Sequence, residues 1–198
     1  MTISAVVPIR SFDGLTRLAR ALDDEVRTGL MLRLAERTVS VIHRAGLPVL
    51  VVSSDPAVTA WSAAHVEEVV PEPSAGGLDA AALAGVSTVP GPWMVVHADL
   101  PALTSEDVAV AAQFAAYTTV IAPSRDGGTS LIGGKGGLRS FSYGPGSFRR
   151  HLSATRGQAT ILVRPGLALD LDRPWDLAAL ERLGRVFGEA AETTPRDL

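Results

Sequence analysis

Short, almost continuous apolar segments recur along this chain, and they limit its possible folds more than any other feature. The clearest lie at residues 4–8, 48–53 and 93–97. A strand without polar alternation must be covered on both faces, as are the central strands of a parallel sheet. Helical spacing of apolar residues between these segments indicates crossover helices. The sequence therefore predicts an α/β fold with a mostly parallel sheet and helices on both faces.

Caps and apolar spacing predict the remaining elements. Asp23 or Asp24 caps a long helix over residues 25–45, and Thr104 caps a helix that extends to about residue 116. Further strands are predicted at 68–70 and 119–122 and as a pair through Leu162 and Leu169, and further helices at 78–85, 147–156 and 174–192.

Glycines concentrate in the segment 124–147, which we expect to form tight turns that approach a small ligand closely. The chain shows no internal repeat and no low-complexity linker. Residues 1–192 are therefore expected to form a single domain, followed by a tail over 193–198.

Composition excludes several classes of function. The 198 residues carry a net charge of −3 with both signs interspersed, which does not indicate a nucleic-acid partner. No apolar stretch reaches the length that crosses a membrane. The absence of cysteine excludes disulfides and cysteine-bound zinc and fits the cytoplasm, where we expect the protein. Lys135 is the only lysine, so phosphate binding would depend on arginines, backbone amides or a metal.

Asp99 directly follows the apolar segment 93–97 and precedes Pro101. Ligands of open parallel sheets bind outside the carboxyl ends of the strands, so this carboxylate is placed to meet a metal or a phosphate. The alternative is that Asp99 caps the next helix, a role for which Thr104 and Ser105 are better suited. We therefore favour a functional role for Asp99.

Asp170 and Asp172 form a second acidic group in the sequence Leu-Asp-Leu-Asp. Alternation along a strand sends both side chains to one face, where they repel unless a cation or a basic group lies between them. Together with Asp99 they would suit Mg²⁺ or Mn²⁺ and the transfer of a phosphate-containing group. Asp172 has an alternative role as the cap of the helix that begins at Pro174.

Two glycine-containing turns are candidates for anion binding. One ends at Thr129, whose hydroxyl follows a pair of glycines. The other, a Gly-Pro-Gly turn that begins at Gly144, leads to Ser147 at a predicted helix start, where free amides and the helix dipole favour an anion. The alternative for the second turn is an ordinary capped helix with Arg149 and Arg150 in solvent.

The loop after the first strand carries Arg10 and Arg17, which could bind phosphates through bidentate hydrogen bonds. Gly14 is the only glycine of this loop, so it is neither a Walker loop nor a dinucleotide fingerprint. The four histidines show no metal-ligand spacing, and we expect His43 and His65 at the surface.

Four segments together resemble a known enzyme family. They match in order and spacing at residues 97–101, 122–129, 141–148 and 165–172, and the resemblance as a whole extends over nearly the entire chain. In these segments the chain is similar to the 2-phospho-L-lactate guanylyltransferases and to relatives that use phosphoenolpyruvate, which serve synthesis of the deazaflavin coenzyme F-420. The resemblance implies the Rossmann-like nucleotidyltransferase fold shared with molybdenum-cofactor guanylyltransferases.

The implied reaction joins GTP to the phosphate of a three-carbon acid and releases pyrophosphate. The resemblance assigns the metal ions to Asp99, Asp170 and Asp172 and the three-carbon acid to Thr129, Gly144 and Ser147. We further expect Asp99 and Arg17 to take part in catalysis, and Arg10, Arg17, Gly77 and Asp79 to bind the nucleotide.

Two positions depart from the family pattern. Leu15 replaces a lysine of the first loop, and Asp79 replaces an asparagine that follows Gly77 and Leu78. Two alternatives therefore stay open: a diverged transferase for another nucleotide or another phosphorylated acid, and a catalytically weakened paralogue that binds such an acid. A downstream transferase could receive the product, and the sequence does not determine the oligomeric state.

Overall fold

Seven strands form one sheet in the computed structural model, which describes residues 2–136, 140–180 and 182. In chain order the strands are β1 (Ser4–Pro8), β2 (Val49–Val52), β3 (Glu68–Val70), β4 (Trp93–Val96), β5 (Thr119–Pro123), β6 (Thr129–Gly134) and β7 (Ala159–Ile161). Across the sheet they lie in the order β3-β2-β1-β4-β6-β5-β7. Only β6 runs antiparallel to its neighbours, β4 and β5. The predicted α/β fold with a mostly parallel sheet is confirmed.

Helices connect the strands and cover both faces of the sheet. They are α1 (Asp24–Arg44), α2 (Pro56–Ser62), α3 (Gly77–Thr88), α4 (Ser105–Ala115), α5 (Ser147–Ala154) and α6 (Pro165–Ala168). A 3₁₀ turn covers Thr16–Leu18. Asp23 caps α1 by accepting from the Val26 amide at 2.9 Å, and Thr104 caps α4, as predicted. In the described part of the chain, no helix combines the length and the apolar character needed to cross a membrane.

Residues 174–180 and 182 are also helical, in agreement with the last predicted helix. The remainder of that helix up to residue 192 and the predicted tail over 193–198 lie outside the described residues. The single domain over 1–192 therefore stays a prediction.

The predicted tight turns form at Gly127, Gly144 and Gly146, which have positive φ angles. The segment 124–147 also contains a strand that was not predicted, because β6 lies inside it and is buried along its whole length. Its glycines are strand residues that let neighbouring groups approach closely. A Cβ atom on Gly133 would lie 2.6 Å from Met94 Cγ and 2.8 Å from the Trp93 carbonyl oxygen. The glycine that suggested a turn is therefore a packing requirement of a central strand.

Of the predicted strand pair through Leu162 and Leu169, only the first strand forms. β7 covers Ala159–Ile161, and the Leu162 amide continues its pairing by donating to the Ile121 carbonyl at 2.9 Å. Residues 169–172 lie outside the sheet. Burial nevertheless alternates in 169–172: Leu169 and Leu171 are buried, whereas both aspartates between and after them are partly exposed. The inference that the two aspartates share one side holds, although the strand that suggested it does not exist.

Each face of the sheet has its own hydrophobic core. Ala5 and Val7 of β1 pack in the core that α1, α2, α4 and α6 help to form, and Val6 packs in the other core with residues of α3. Burying each such side chain contributes on the order of 1.5–3 kcal/mol. The helices thus cover both faces and leave the carboxyl ends of β1 and β4 accessible.

Gly85 in α3 faces the sheet and allows the helix to lie close to it. A Cβ atom there would lie 2.4 Å from Val6 Cγ1 and 2.7 Å from Val52 Cγ2. We expect Gly85→Ala to lower the free energy of unfolding by about 1–3 kcal/mol, because the packed core must move. The measurement is equilibrium unfolding in denaturant.

Gly29→Ala in α1 is the matched control, because the nearest atom that its Cβ would meet is Arg33 Nη1 at 3.6 Å. This variant should gain about 0.5–1 kcal/mol from the better helix propensity of alanine. Equal stabilities of the two variants would contradict the close packing of α3.

Candidate functional site

A cavity of about 590 Å³ lies at the carboxyl ends of the central strands, where a ligand is expected in an open α/β sheet. We call it the main cavity. It is lined by Arg17, Leu78, His97, Asp99, Arg125, Asp126, Gly128, Thr129, Tyr143, Gly144, Pro145, Ser147, Asp170, Asp172, Arg173, Trp175 and Asp176. Seven of the ten residues predicted for the site are therefore brought together: Arg17, Asp99, Thr129, Gly144, Ser147, Asp170 and Asp172.

The main chain around Asp99 is held on two sides. Its carbonyl oxygen accepts from the Leu171 amide at 2.9 Å, and the Thr38 hydroxyl donates to the carbonyl of Ala98. Thr104 and Asp107 form the reciprocal capping box of α4, so the alternative role of Asp99 as a helix cap is wrong. The bond to Leu171 fixes the Asp170–Asp172 segment beside the end of β4.

Asp99 and Asp170 are half-buried carboxylates that repel each other. Burial raises the pKa of Asp99 to about 6, and the charges of Asp172, Asp126 and Asp176 act in the same direction. Burial and the charge of Asp99 raise the pKa of Asp170 to about 6. Both groups therefore carry an unfavourable negative charge at neutral pH, which a bound cation would compensate.

The pKa of Asp126 is shifted in the opposite direction. Burial alone would raise its pKa, but hydrogen bonds from the Ser124 hydroxyl and the Gly128 amide, at 2.6 and 2.8 Å, bring its pKa below the ordinary value. Arg173 contributes in the same direction. Asp126 is thus a stable anion that closes the turn between β5 and β6.

Arginines neutralise two further carboxylates of the main cavity. Arg17 forms an ion pair with Asp172, and Arg125 forms one with the buried Asp176. Asp176 in turn accepts from the amides of Asp172 and Arg173, which leaves Asp172 without the capping role that its alternative assigned. Within residues 2–136, 140–180 and 182, no three His, Asp or Glu side chains are spaced to hold a metal ion. The three-aspartate metal site therefore stays a prediction.

Hydroxyl groups form the opposite wall of the main cavity. The Thr129 hydroxyl lies 3.1 Å from the Ser147 hydroxyl and 2.9 Å from Nδ1 of His151, a ring that is 1% exposed. Ser147 opens α5 as predicted, but its amide already donates to the Gly144 carbonyl at 3.0 Å and the next amide donates to Gly127. The hydroxyls, rather than the first amides of α5, are the donors available to a ligand.

The loop over 142–147 is held by side chains from outside it. Arg150 donates to the carbonyls of Ser142, Tyr143 and Pro145 over 2.6–3.2 Å. The alternative in which Arg150 is merely solvated is therefore wrong. Asp79 accepts from the Tyr143 amide at 2.6 Å. Hydrogen bonds thus connect the loop that carries Gly144 both to α5, which follows it, and to α3.

Arg10 and Gly77 line a different cavity of about 350 Å³, which we call the Arg10 cavity. Its other lining residues are Ser54, Glu72, Pro73, Ser74, Ala75 and Gly76. Gly77 and Leu78 are consecutive, so both cavities reach the first turn of α3. Asp79, predicted to bind nucleotide, lines neither of these cavities.

Leu15 occupies an unusual backbone conformation. Its φ angle is 54°, in the left-handed region, and its side chain packs against the core formed by Leu18, Leu34 and Leu171. Leu15 is therefore half-buried framework of the first loop. The exposed Arg17 remains the cation that this loop presents to the main cavity.

Several cavity residues escaped the sequence reasoning, notably His97, Arg125, Asp126, Tyr143 and Arg173. The first four lie inside recognised motifs, in which the sequence predicted functional roles only for other residues. Three buried polar atoms of this region lack hydrogen-bond partners: Asp99 Oδ1, His97 Nε2 and Tyr143 Oη. Such atoms are costly unless a ligand, ion or water satisfies them.

Comparison with known proteins agrees with these features. Residues 3–181 match the protein family described as "Guanylyl transferase CofC like". A phosphoenolpyruvate guanylyltransferase from Rubrobacter xylanophilus is 38% identical over 94% of this chain and 97% of its own length. A 3-phospho-D-glycerate guanylyltransferase from Phenylobacterium zucineum is 31% identical over 90% of this chain and 89% of its own length.

Solved structures show the same fold at low sequence identity. A nucleotidyl transferase from Methanothermobacter superimposes with a TM-score of 0.64 at 19% identity, covering 93% of this chain and 99% of its own. A structure from Desulfovibrio desulfuricans described as a nucleotide-diphospho-sugar transferase gives a TM-score of 0.75 at 16% identity, with 93% and 89% coverage. The predicted nucleotidyltransferase architecture is confirmed.

The raised pKa of Asp170 predicts a stability cost. The folded state binds the proton of Asp170 more tightly than the unfolded state, so its ionised form destabilises the fold above about pH 6. In metal-free buffer at pH 7.5, Asp170→Asn should raise the melting temperature by roughly 2–4 °C, which corresponds to about 1 kcal/mol after screening through the open cavity. Thermal unfolding followed by circular dichroism measures it.

The gain should shrink as the pH falls from about 6 to about 4, because wild-type Asp170 then becomes neutral as well. Asp13→Asn is the control, since Asp13 is exposed and accepts one hydrogen bond from Thr28 that asparagine can also accept. An Asp170→Asn protein that is less stable than wild type at pH 7.5 would show that this carboxylate is not under repulsion.

Proposed function

The chain belongs to the CofC-like guanylyltransferase family, and on that basis we propose that it transfers the guanylyl group of GTP to the phosphate of a three-carbon acid. The observation that best supports this proposal is the main cavity, which combines two mutually repelling, half-buried carboxylates with a hydroxyl-rich wall and three arginines. Few ligands other than an anion bound together with a cation satisfy both sides of such a cavity.

Thr129, Gly144 and Ser147 are proposed to bind the three-carbon acid. The hydroxyls of Thr129 and Ser147 lie 3.1 Å apart and can donate to a carboxylate or a phosphate. Gly144 has a φ angle of 99°, a conformation that brings bare backbone to the cavity. Phosphoenolpyruvate is the acceptor that we favour, because the Rubrobacter relative at 38% identity bears its name. The alternative is 2-phospho-L-lactate, which has the same charge and carries its phosphate on the same carbon, next to the carboxylate.

Asp99 and Asp170 are proposed to hold Mg²⁺ or Mn²⁺. The two residues fit such an ion, because Asp99 Oδ1 is buried without a partner and both carboxylates have raised pKa values. Mg²⁺ takes only one or two carboxylates and completes its shell with water and phosphate. When bound, the ion would neutralise charge on the phosphates. Asp172 could join as a third ligand if Arg17 exchanges it for a phosphate.

The Arg10 cavity is proposed to bind the guanosine end of GTP. Glu72 lines it and offers a carboxylate to the N1–H and N2–H donors of guanine, a pair that adenine lacks. Arg10 and Arg17 are proposed to hold the triphosphate between the two cavities, as arginine binds phosphate in a bidentate manner. Gly77 lines the Arg10 cavity and would let the nucleotide approach the start of α3.

In the proposed reaction, an oxygen of the acceptor phosphate attacks the α-phosphorus of GTP. The bond from the α-phosphorus to the bridging oxygen breaks, and pyrophosphate leaves with that oxygen. The acceptor phosphate is already ionised near neutral pH, so the protein need not supply a nucleophile or a strong base. The chain's contribution is to align the two anions and to offset their repulsion through Arg17, Arg125 and Arg173.

A second acceptor, 3-phospho-D-glycerate, is favoured by one specific observation, the name of the Phenylobacterium relative at 31% identity. It carries the same phosphate and carboxylate together with a hydroxyl group. Tyr143 Oη and His97 Nε2 have no hydrogen-bond partner among the described residues, and such a hydroxyl could form a hydrogen bond with either atom. The two acceptors therefore compete for the same wall of the main cavity.

With phosphoenolpyruvate or 2-phospho-L-lactate as acceptor, the product would enter synthesis of the deazaflavin coenzyme F-420 in the cytoplasm. A downstream transferase would then take the activated acid from the main cavity, whose lining includes the exposed residues Arg17 and Trp175.

A matrix of substrates tests the proposal. The purified chain is incubated with each of four nucleoside triphosphates, Mg²⁺ or Mn²⁺, and phosphoenolpyruvate, 2-phospho-L-lactate or 3-phospho-D-glycerate, and released pyrophosphate is measured. We expect release with GTP and one three-carbon acid, and loss of release in Asp99→Asn. Absence of release from every combination would refute the transferase function.

Glu72→Gln tests the nucleotide half. The amide presents a donor where guanine also presents donors, so kcat/KM for GTP should fall about 10–100-fold, while the KM of the acceptor stays constant. Steady-state kinetics with varied GTP and ATP provide the measurement. Glu68→Gln, an exposed change on β3, is the control and should behave as wild type. Unchanged preference for GTP over ATP in Glu72→Gln would place the base elsewhere.

A further inference from the structure

His151 lies behind the wall of the main cavity that the Thr129 and Ser147 hydroxyls form, and both its ring nitrogens have hydrogen-bond partners. Nε2 lies 2.9 Å from the Ser142 amide nitrogen, and Nδ1 lies 2.9 Å from the Thr129 hydroxyl. The rings of Phe141 and Tyr143 pack edge-on against the imidazole, with centroids at 6.3 and 5.0 Å. The ring is 1% exposed and therefore cannot exchange these partners for water.

The hydrogen bond to Ser142 determines the tautomer. A backbone amide can only donate, so Nε2 must be the nitrogen that carries the lone pair. The neutral ring then has its proton on Nδ1, which donates to the Thr129 oxygen. Burial lowers the pKa of His151 to about 4, so the ring stays neutral at physiological pH. A protonated ring would place two donors, Nε2–H and the Ser142 amide, against each other.

The tautomer of His151 determines how many hydroxyl protons remain for a ligand. The hydroxyls of Thr129 and Ser147 have one proton each, and the hydrogen bond between them uses one. Because His151 donates to Thr129, neither hydroxyl proton is spent on the imidazole. With the opposite tautomer, Thr129 would donate to Nδ1, Ser147 would donate to Thr129, and no proton would remain for a ligand.

We propose that His151 is a positioning residue whose Nδ1–H tautomer leaves the Thr129–Ser147 pair with one free hydrogen-bond donor for the anionic acceptor. This inference rests on the proposed function, because it assigns that donor to the phosphorylated acid. It explains why a histidine with no contact to the main cavity lies at the base of the two hydroxyls. The histidine thereby acts on acceptor affinity through Thr129.

Three replacements separate the roles of the two nitrogens. The asparagine amide ends near the position of Nδ1 and can still donate to Thr129, whereas the glutamine amide reaches the position of Nε2 and can only replace the bond to Ser142. Phenylalanine keeps the ring volume and removes both bonds. His151→Gln and His151→Phe should raise the acceptor KM about 10–100-fold, the effect of one hydrogen bond to a charged group. His151→Asn should stay within about threefold of wild type.

The KM of GTP should change less than about twofold in all three variants. In the Thr129→Val background, His151→Gln should have no further effect on the acceptor KM, because its effect passes through the Thr129 hydroxyl. A loss in His151→Asn equal to that in His151→Gln, or additive effects of the two changes, would show that His151 only supports the core. Calorimetric binding of phosphoenolpyruvate replaces KM if turnover is absent.

A direct readout needs no activity. Long-range ¹⁵N–¹H correlation spectra of the ¹⁵N-labelled full chain at pH 7 should show His151 with a protonated Nδ1 and a bare Nε2. A protonated Nε2 would overturn the inference. If the spectra show the expected tautomer but no nucleotide and acid pair releases pyrophosphate, the proposed reaction fails while the tautomer assignment stands.

Discussion

The reversed direction of β6 is the constraint on which the site depends. Because β6 runs antiparallel between β4 and β5, its first residue, Thr129, lies at the same edge of the sheet as Asp99, which follows the last residue of β4. The pairing is continued by the His97 amide, which donates to the Ser130 carbonyl at 3.1 Å. A parallel strand at this place would carry Thr129 to the far edge of the sheet. The cation-attracting and anion-attracting walls of the main cavity therefore face each other as a consequence of one strand direction.

The carboxylates of the main cavity fall into two groups. Asp172 and Asp176 have arginine partners, whereas Asp99 and Asp170 have none among the described residues. Leaving two half-buried carboxylates uncompensated costs stability, and proteins accept such a cost mainly where a ligand recovers it. The ion pair of Arg17 with Asp172 is partly exposed and therefore weak, so a phosphate of the proposed substrates could compete for Arg17.

The sequence predicted the parallel framework well, because wholly apolar strands and capped helices are local signals. The prediction failed where tertiary contacts override local composition. Gly133 suggested a turn but lies in a central strand, where it packs against Met94. The strand predicted at Leu169 is instead an extended segment, which the Leu171 amide connects to the Asp99 carbonyl by a hydrogen bond. Asp99 and Thr129 could be found from motifs, since they follow a strand end and a glycine pair. His151 and Arg173 could not, because their importance comes from partners that are distant in sequence.

The two departures from the family pattern have structural roles in this chain. Leu15 packs against the cluster of Leu18, Leu34 and Leu171, and Leu171 lies between Asp170 and Asp172, so a leucine in the first loop adds to the core beneath the acidic segment. Asp79 accepts from the Tyr143 amide, and a carboxylate makes this a charge-assisted bond that is stronger than the amide of asparagine would form. Both residues belong to elements assigned to the nucleotide, yet both stabilise the acceptor half of the cavity. In this chain the first loop and the start of α3 therefore connect the two halves of the site.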